Sequence, residues 1–253
     1  MDFTTPLYHL NPLNRFTDKA GNYTKYRPFY PDAVIDKILE GLTLPITAAD
    51  IGAGTGISAG QLASRDVNVI AIEPNKAMRE AAEKHPNVEW KEGSAEATNL
   101  PDASVDLITS FQAFHWFKPQ PTLKEFHRIL KPQGRLAIVF NNLNTDDEFT
   151  NKYSELISKA ANNRPPTDFN SKVEPVKESS FFTNIDCYEF PDKQELDLQK
   201  LIGIAKSVSF ISPQEEVQKQ LVDDLENLYR EQRDRNGFVY IVYRSRVNLA
   251  NLV

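Results

Sequence analysis

Residues 48–56 read AADIGAGTG: a small apolar run, then Gly52, Gly54 and Gly56 at alternate positions, with Asp50 two places ahead of the first glycine. Glycine lets a backbone approach a ligand without a Cβ in the way and permits positive φ. In open α/β sheets such loops lie at the carboxyl ends of strands, where ligands bind. The dinucleotide fingerprint G-x-G-x-x-G puts its third glycine three residues after the second. Counted from Gly52 and Gly54, that slot is Ile57. The spacing present is G-x-G-x-G, which disfavours hydride transfer from a nicotinamide cofactor.

Outward from this loop, strand-like and helix-like runs alternate as far as Phe140, the pattern of a parallel sheet covered on both faces. The strands read as 48–51, 67–72, 87–90, 104–110 and 135–140, near-continuously apolar as burial on both faces demands. Helices read as 57–64, 75–85 and 120–130, the last stopping at KPQG. Before the loop, 32–40 reads as a helix capped by Asp32. Beyond Phe140 the pattern changes: a polar helix over 146–161, strands 181–190 and 238–245, and two helical runs between those strands. The predicted fold is a Rossmann-like, doubly wound α/β sheet of seven strands, mostly parallel with an antiparallel edge. Residues 1–45 would form an N-terminal lid and first helix. Residues 46–253 would form the rest of a single domain, with helical cap insertions at about 145–175 and 198–235 over the ligand edge.

Composition bounds the function. A formal charge of −6 with 25% charged residues is that of an ordinary globular chain and argues against a nucleic-acid footprint. No apolar run is long enough to span a bilayer, and the first residues lack the pattern of a secretory signal. The single cysteine, Cys187, fits a reducing cytoplasm and reads as a small strand residue. His9, His85 and His127 show no ligand spacing, so no metal is expected. The expectation is a cytoplasmic monomer or weak dimer with a small-molecule substrate and neither nucleic-acid nor membrane partners.

Glu73 stands nineteen residues past Gly54, at the end of VIAIE, where a carboxylate can accept both ribose hydroxyls of a nucleotide. DIGAGTG followed by this acid resembles the first motif of the class I S-adenosylmethionine-dependent methyltransferases. IEPNKAMREAA, GSAEATNLPDASVDLITS and HRILKPQGRLAIV resemble that family's later segments in order and spacing. SFQAFHWF at 110–117 and YRPFYP at 26–31 resemble its type 11 small-molecule group, which includes trans-aconitate methyltransferase. The resemblance implies S-adenosylmethionine as cofactor, held by Asp50, Gly52, Ala53, Gly54, Gly56, Glu73 and Pro74. It further implies Met78 packing on the adenine, with Ser94, Ala95 and Glu96 reading its edge. Gln112 would lie on the methionine part and Arg27 on its carboxylate.

By the same resemblance His115 and Trp116 would face the transferring methyl, with Tyr26 near it. Tyr23, Tyr26 and Tyr30 would belong to a segment, 16–31, that closes over the site. Aromatic faces suit a sulfonium because π-systems attract positive charge. Phe111, Phe114 and Phe117 read as packing residues. His115 reads as a pocket residue; a histidine can take a proton near neutrality, but a carboxylate nucleophile needs no base. The implied reaction is methyl transfer to a small molecule, on oxygen before nitrogen or carbon. An oxidoreductase and a non-catalytic cofactor-binding relative remain alternatives.

Overall fold

The computed structural model describes residues 6–9, 26–165, 169 and 171–253. Helix α1 spans Asp32–Leu39 and leads into β1, Thr47–Ile51. Three strand–helix units follow: α2 (Ile57–Ala63), β2 (Asn68–Ile72), α3 (Lys76–Glu80), β3 (Val88–Lys91), β4 (Val105–Phe111), α4 (Pro119–Ile129) and β5 (Leu130–Leu143). The chain then runs through α5 (Glu148–Ala160), α6 (Glu174–Lys177), β6 (Phe182–Leu196), α7 (Leu198–Ser207), α8 (Glu215–Gln232) and β7 (Val239–Leu252). The seven strands are ordered β3-β2-β1-β4-β5-β7-β6. β1 to β5 are parallel, and β7 pairs antiparallel with both β5 and the outermost β6. The strand order reverses between β1 and β4, and an open sheet binds its ligand at such a reversal.

Alternating strand residues feed two apolar layers. Ala48, Val69, Leu107 and Ala137 pack with Val34, Ile35 and Ile38 of α1 and with Ala59 and Leu62 of α2. Ala49, Ile108, Leu136 and Ile138 pack on the other face with Leu123, Phe126 and Ile129 of α4. The period of two along each strand and the i, i+3 spacing along each helix produce this sandwich.

A third apolar cluster is the cap. Phe149 and Tyr153 of α5, Leu201 and Ile204 of α7, and Leu221, Leu225 and Leu228 of α8 pack together. They rest on Leu196 of β6 and on Val239, Ile241 and Tyr243 of β7. β6 and β7 have 15 and 14 residues against five in β1, so they outrun the sheet and form a platform for the cap.

Four local expectations are corrected. Asp32 is the first residue of α1 rather than its cap; Pro31 holds that place, and the Asp32 carboxylate accepts from Arg65 at 2.6 Å. Helix α3 ends at Glu80 rather than His85, with Asn75 capping it by accepting the Met78 N–H at 3.1 Å. KPQG does not separate α4 from β5: the strand begins at Leu130, paired with Val105, and the next residues form an irregularity before Arg135 pairs with Leu107. β6 and β7 extend well beyond the expected 181–190 and 238–245. Of the expected closing segment, residues 16–25, Tyr23 among them, lie outside the described residues.

Candidate active site

The glycine loop leaves β1 at the reversal point and is fixed from two sides. The Gly52 and Ala53 N–H groups both donate to the Ile72 carbonyl, at 2.9 and 3.2 Å. The Gly54 N–H donates to Glu73 Oε2 at 3.0 Å, and the Asn75 N–H to Glu73 Oε1 at 2.9 Å. Gly52, Gly54 and Gly56 all have positive φ, at 72°, 59° and 85°, which L side chains rarely adopt. Glu73 is 8% exposed, and burial pushes its carboxyl pKa up against the pull of the two N–H donors. It therefore ties the loop to the end of β2 while facing the cavity.

Asp50 works from behind the loop. It is fully buried, accepts the Ser58 hydroxyl at 2.6 Å and the Thr109 hydroxyl at 2.8 Å, and so joins β1, α2 and β4. Burial, only partly offset by those two bonds, raises its pKa to about 6. Asp50 lines none of the site's cavities, and neither does Gly56. A Cβ on Gly56 would stand 2.8 Å from the Trp90 ring, so close packing accounts for that glycine. Both hold the loop without reaching the ligand space.

In front of the loop lies a cavity of about 730 Å3. Gly52, Gly54, Glu73, Pro74 and Met78 line it together with Ser94, Ala95, Glu96 and Gln112. Ser94 and Ala97 exchange backbone hydrogen bonds, a tight turn that presents Ala95 and Glu96. Glu96 Oε1 accepts the Lys118 N–H at 3.0 Å. The residues fit an adenosine: apolar Met78 and Pro74 for the ring, the Glu73 carboxylate for ribose hydroxyls, and enough volume for both. Tyr8, His9 and Phe117 also line this cavity. The sequence pointed neither Tyr8 nor His9 to this cavity, because the N-terminal stretch has no period and its contacts are tertiary.

A second cavity of about 490 Å3 lies under the cap, lined by Arg27, His115, Trp116, Asn142, Tyr153, Arg164, Phe169 and Tyr243 among others. A narrow space of about 50 Å3 beside it is lined by Arg27, Tyr30, Ala53 and Thr55. Gln112 borders all three spaces, and Trp116 borders the two large ones. Gln112 sits at φ 53°, and its amide is held by Asn141 in both directions: it donates to the carbonyl at 3.2 Å and accepts the N–H at 3.0 Å. The Trp116 ring stacks on Phe210 at 5.4 Å. These two side chains stand between the two large cavities.

Tyr26 is elsewhere. Its ring lies against Gly203 of α7, where a Cβ would come within 2.4 Å, and its carbonyl accepts from Gln194 at 3.2 Å. It lines none of the three spaces, so it docks the N-terminal segment on the cap rather than reaching the methyl position.

Comparison with known proteins agrees with this geometry. A methyltransferase domain family, type 11, matches residues 49–138. An uncharacterised methyltransferase-like protein of Schizosaccharomyces pombe is 31% identical over 213 residues, 82% of this chain and 83% of that protein. Malonyl-[acyl-carrier protein] O-methyltransferase 1 of Coxiella burnetii is 38% identical over 113 residues, 42% of this chain and 39% of that one. Among solved structures, that of a putative type II methyltransferase from Anaeromyxobacter dehalogenans superposes with a TM-score of 0.69 at 20% identity, covering 88% of this chain and 97% of that one. The glycine loop with its acidic partner, the two neighbouring cavities and these relatives converge: the chain belongs to the class I S-adenosylmethionine-dependent methyltransferases.

Proposed function

We propose that the protein transfers a methyl group to a carboxylate oxygen of a small organic acid seated in the 490 Å3 cavity. The observation that carries this reading is the burial of the cavity's own titratable side chains, which sets their protonation. Burial, with the charges of Lys172 and Arg164, pushes the His115 pKa down to about 3. Burial raises both phenols, Tyr153 beyond its ordinary range and Tyr243 to about 12. At neutral pH the imidazole is therefore uncharged with a weakly basic nitrogen, and the phenols keep their protons. None of these groups deprotonates an alcohol or an ammonium well. An acceptor that arrives ionised needs no base.

The charges of the cavity favour the same acceptor. Arg27 and Arg164 line it, and among the described lining residues there is no aspartate or glutamate. A carboxylate entering beside guanidinium groups gains electrostatic attraction in a partly water-excluded space. The Coxiella relative is named for oxygen methylation, which points the same way.

S-adenosylmethionine supplies an electrophilic methyl on a sulfonium; as the oxygen–carbon bond forms, the sulfur–carbon bond breaks, leaving a neutral ester and a neutral thioether. This chain contributes alignment and dryness. Glu73 and the glycine loop would fix the nucleoside end, and the clamped Gln112 and the Trp116 ring would bound the junction. Arg27, expected from the resemblance on the cofactor's carboxylate, also lines this cavity and would orient the acid together with Arg164.

The test is S-adenosylhomocysteine formation with a panel of carboxylic acids, each beside its primary amide and alcohol. Turnover is expected with acids alone. Its rate should fall as pH drops through the acid's own pKa, without an inflection near 6.5 from His115. Equal turnover of the alcohols or of matched amines would refute the carboxylate reading.

A further inference from the structure

Two buried polar atoms that line the acceptor cavity have no hydrogen-bond partner among the described residues: Nδ1 of His115 and Oδ1 of Asn142. They come from separate elements, the short turn Phe114–Trp116 after β4 and the end of β5. The neighbouring asparagine shows the contrast. Asn141 is bonded through its N–H and carbonyl to Gln112 and through Oδ1 to the Ser245 hydroxyl at 3.1 Å. Both asparagines border the cavity, but the Asn141 amide oxygen is engaged by β7 while that of Asn142 is unmet. Buried polar atoms are paired in the great majority of cases, and an unmet one calls for a specific reason.

The His115 ring has aromatic neighbours on several sides. The His115 ring is held among Trp116 at 5.3 Å, Phe140 at 5.8 Å and Phe169 at 5.1 Å between centroids. Trp116 and Phe210 form a second flat wall, their planes 17° apart. A neutral imidazole has one nitrogen with a free lone pair, and a carboxamide oxygen has two lone pairs. A hydroxyl has one hydrogen and two lone pairs, so a single ligand hydroxyl meets both atoms by donating to the amide oxygen and accepting from the imidazole in its Nδ1–H tautomer.

We propose that His115 and Asn142 form the specificity end of the acceptor cavity, where a hydroxyl group of the substrate donates its hydrogen to Asn142 Oδ1 and its oxygen accepts from the His115 ring in the Nδ1–H tautomer, so that the preferred acceptor is a hydroxylated carboxylic acid with a flat apolar body. This rests on the assignment of that cavity to the methyl acceptor. His115 is then a binding group that selects the acceptor rather than a base. Asn142 has the same role. An acid lacking the hydroxyl would bury both atoms unmet, and discrimination by such sites is strong because the unpaired groups belong to the protein.

The test has a ligand arm and a ligand-free arm. Binding of benzoate, 2-, 3- and 4-hydroxybenzoate and 4-hydroxybenzamide is measured by calorimetry in saturating S-adenosylhomocysteine, for the wild type, Asn142→Leu and His115→Phe. At least one hydroxybenzoate should bind about ten- to a hundredfold more tightly than benzoate. That preference should fall towards unity in Asn142→Leu. Without acceptor, both variants should hold their melting temperature or gain about 2–4 °C, since an unmet polar group has been removed. Benzoate binding as tightly as its hydroxylated forms, no hydroxybenzoate binding at millimolar concentration, or a preference unchanged in both variants would overturn the proposal. So would a melting temperature several degrees lower in both variants, because these atoms would then be serving the fold. If 4-hydroxybenzamide binds as well as 4-hydroxybenzoate, the hydroxyl proposal stands and the carboxylate reading fails. If S-adenosylhomocysteine itself does not bind, both fail together.

Discussion

Replacing Glu73 tests the cofactor site at the residue where loop geometry and ligand chemistry coincide. Its two carboxylate oxygens each accept a backbone N–H, from Gly54 at 3.0 Å and Asn75 at 2.9 Å, and the group is 8% exposed. In Glu73→Ala those two donors lose their partner and the ribose hydroxyls lose theirs. Hydrogen bonds to a charged group contribute about 1.5–3 kcal/mol. Cofactor affinity should therefore fall by about that amount, roughly 12- to 150-fold. Stability without ligand should fall by about 1–3 kcal/mol for the unmet N–H groups. Glu73→Gln should not rescue, since its NH2 would face one of the two backbone donors. Calorimetry with S-adenosylhomocysteine and thermal melts of the free protein measure both quantities. An affinity within twofold of wild type for both variants would refute the assignment of Glu73 to the ribose.

Gly52→Ala should cost about 1–3 kcal/mol of stability and abolish cofactor binding, because the new Cβ would stand 2.6 Å from Ala113 Cβ at φ 72°. Gly60→Ala is the control: it lies inside α2 with nothing within 4 Å of the added Cβ, so melts should show it neutral or up to about 1 kcal/mol more stable. Asp50 has a folded-state pKa of about 6 against an ordinary 3.8, so the stability its neutral form contributes is full below about pH 4 and lost as pH rises through about 6. Denaturant titrations should show Asp50→Asn gaining on wild type by up to ~3 kcal/mol between pH 4 and pH 7, and parallel pH profiles would contradict the buried-carboxylate reading. Gly203→Ala would drive a Cβ to within 2.4 Å of the Tyr26 ring and dislodge the segment carrying Arg27. Acceptor turnover should then drop more than S-adenosylhomocysteine affinity, and equal losses would show that Tyr26 docking does not serve the acceptor cavity.

The parts of the fold set by local physics were readable from the chain. Alternation of apolar runs marks β1 to β5, and the spacing of Gly52, Gly54 and Gly56 separates this loop from the dinucleotide type. Glu73 could be placed because a strand end fixes its position relative to that loop. Asp50 could not be resolved in role, since motif membership does not say which side of the loop an acid faces; only the Ser58 and Thr109 hydroxyls place it behind. The outer halves of β6 and β7 escaped because they are a platform: β6 is mostly exposed or half-buried along its length, so its residues lack the apolar run that marks a core strand. Tyr26 was misplaced for a different reason. Its partners are Gly203 of α7 in the cap and Gln194 of β6, the latter 168 residues away, and no local pattern reports such a contact. Asn142 went unnoticed because an asparagine at a strand end is ordinary until its unmet amide oxygen is seen lining a cavity.

The measurement that tests the proposed chemistry most directly is the alkali lability of the product. The protein is incubated with S-adenosylmethionine labelled in the methyl group and with hydroxylated carboxylic acids, and the methylated product is then treated with mild base. A methyl ester releases its label as volatile methanol, and that is the expected result, with neither His115 nor the tyrosines Tyr153 and Tyr243 acting as a base. Label retained in a base-stable ether, amine or carbon-linked methyl would contradict a carboxylate oxygen as the acceptor.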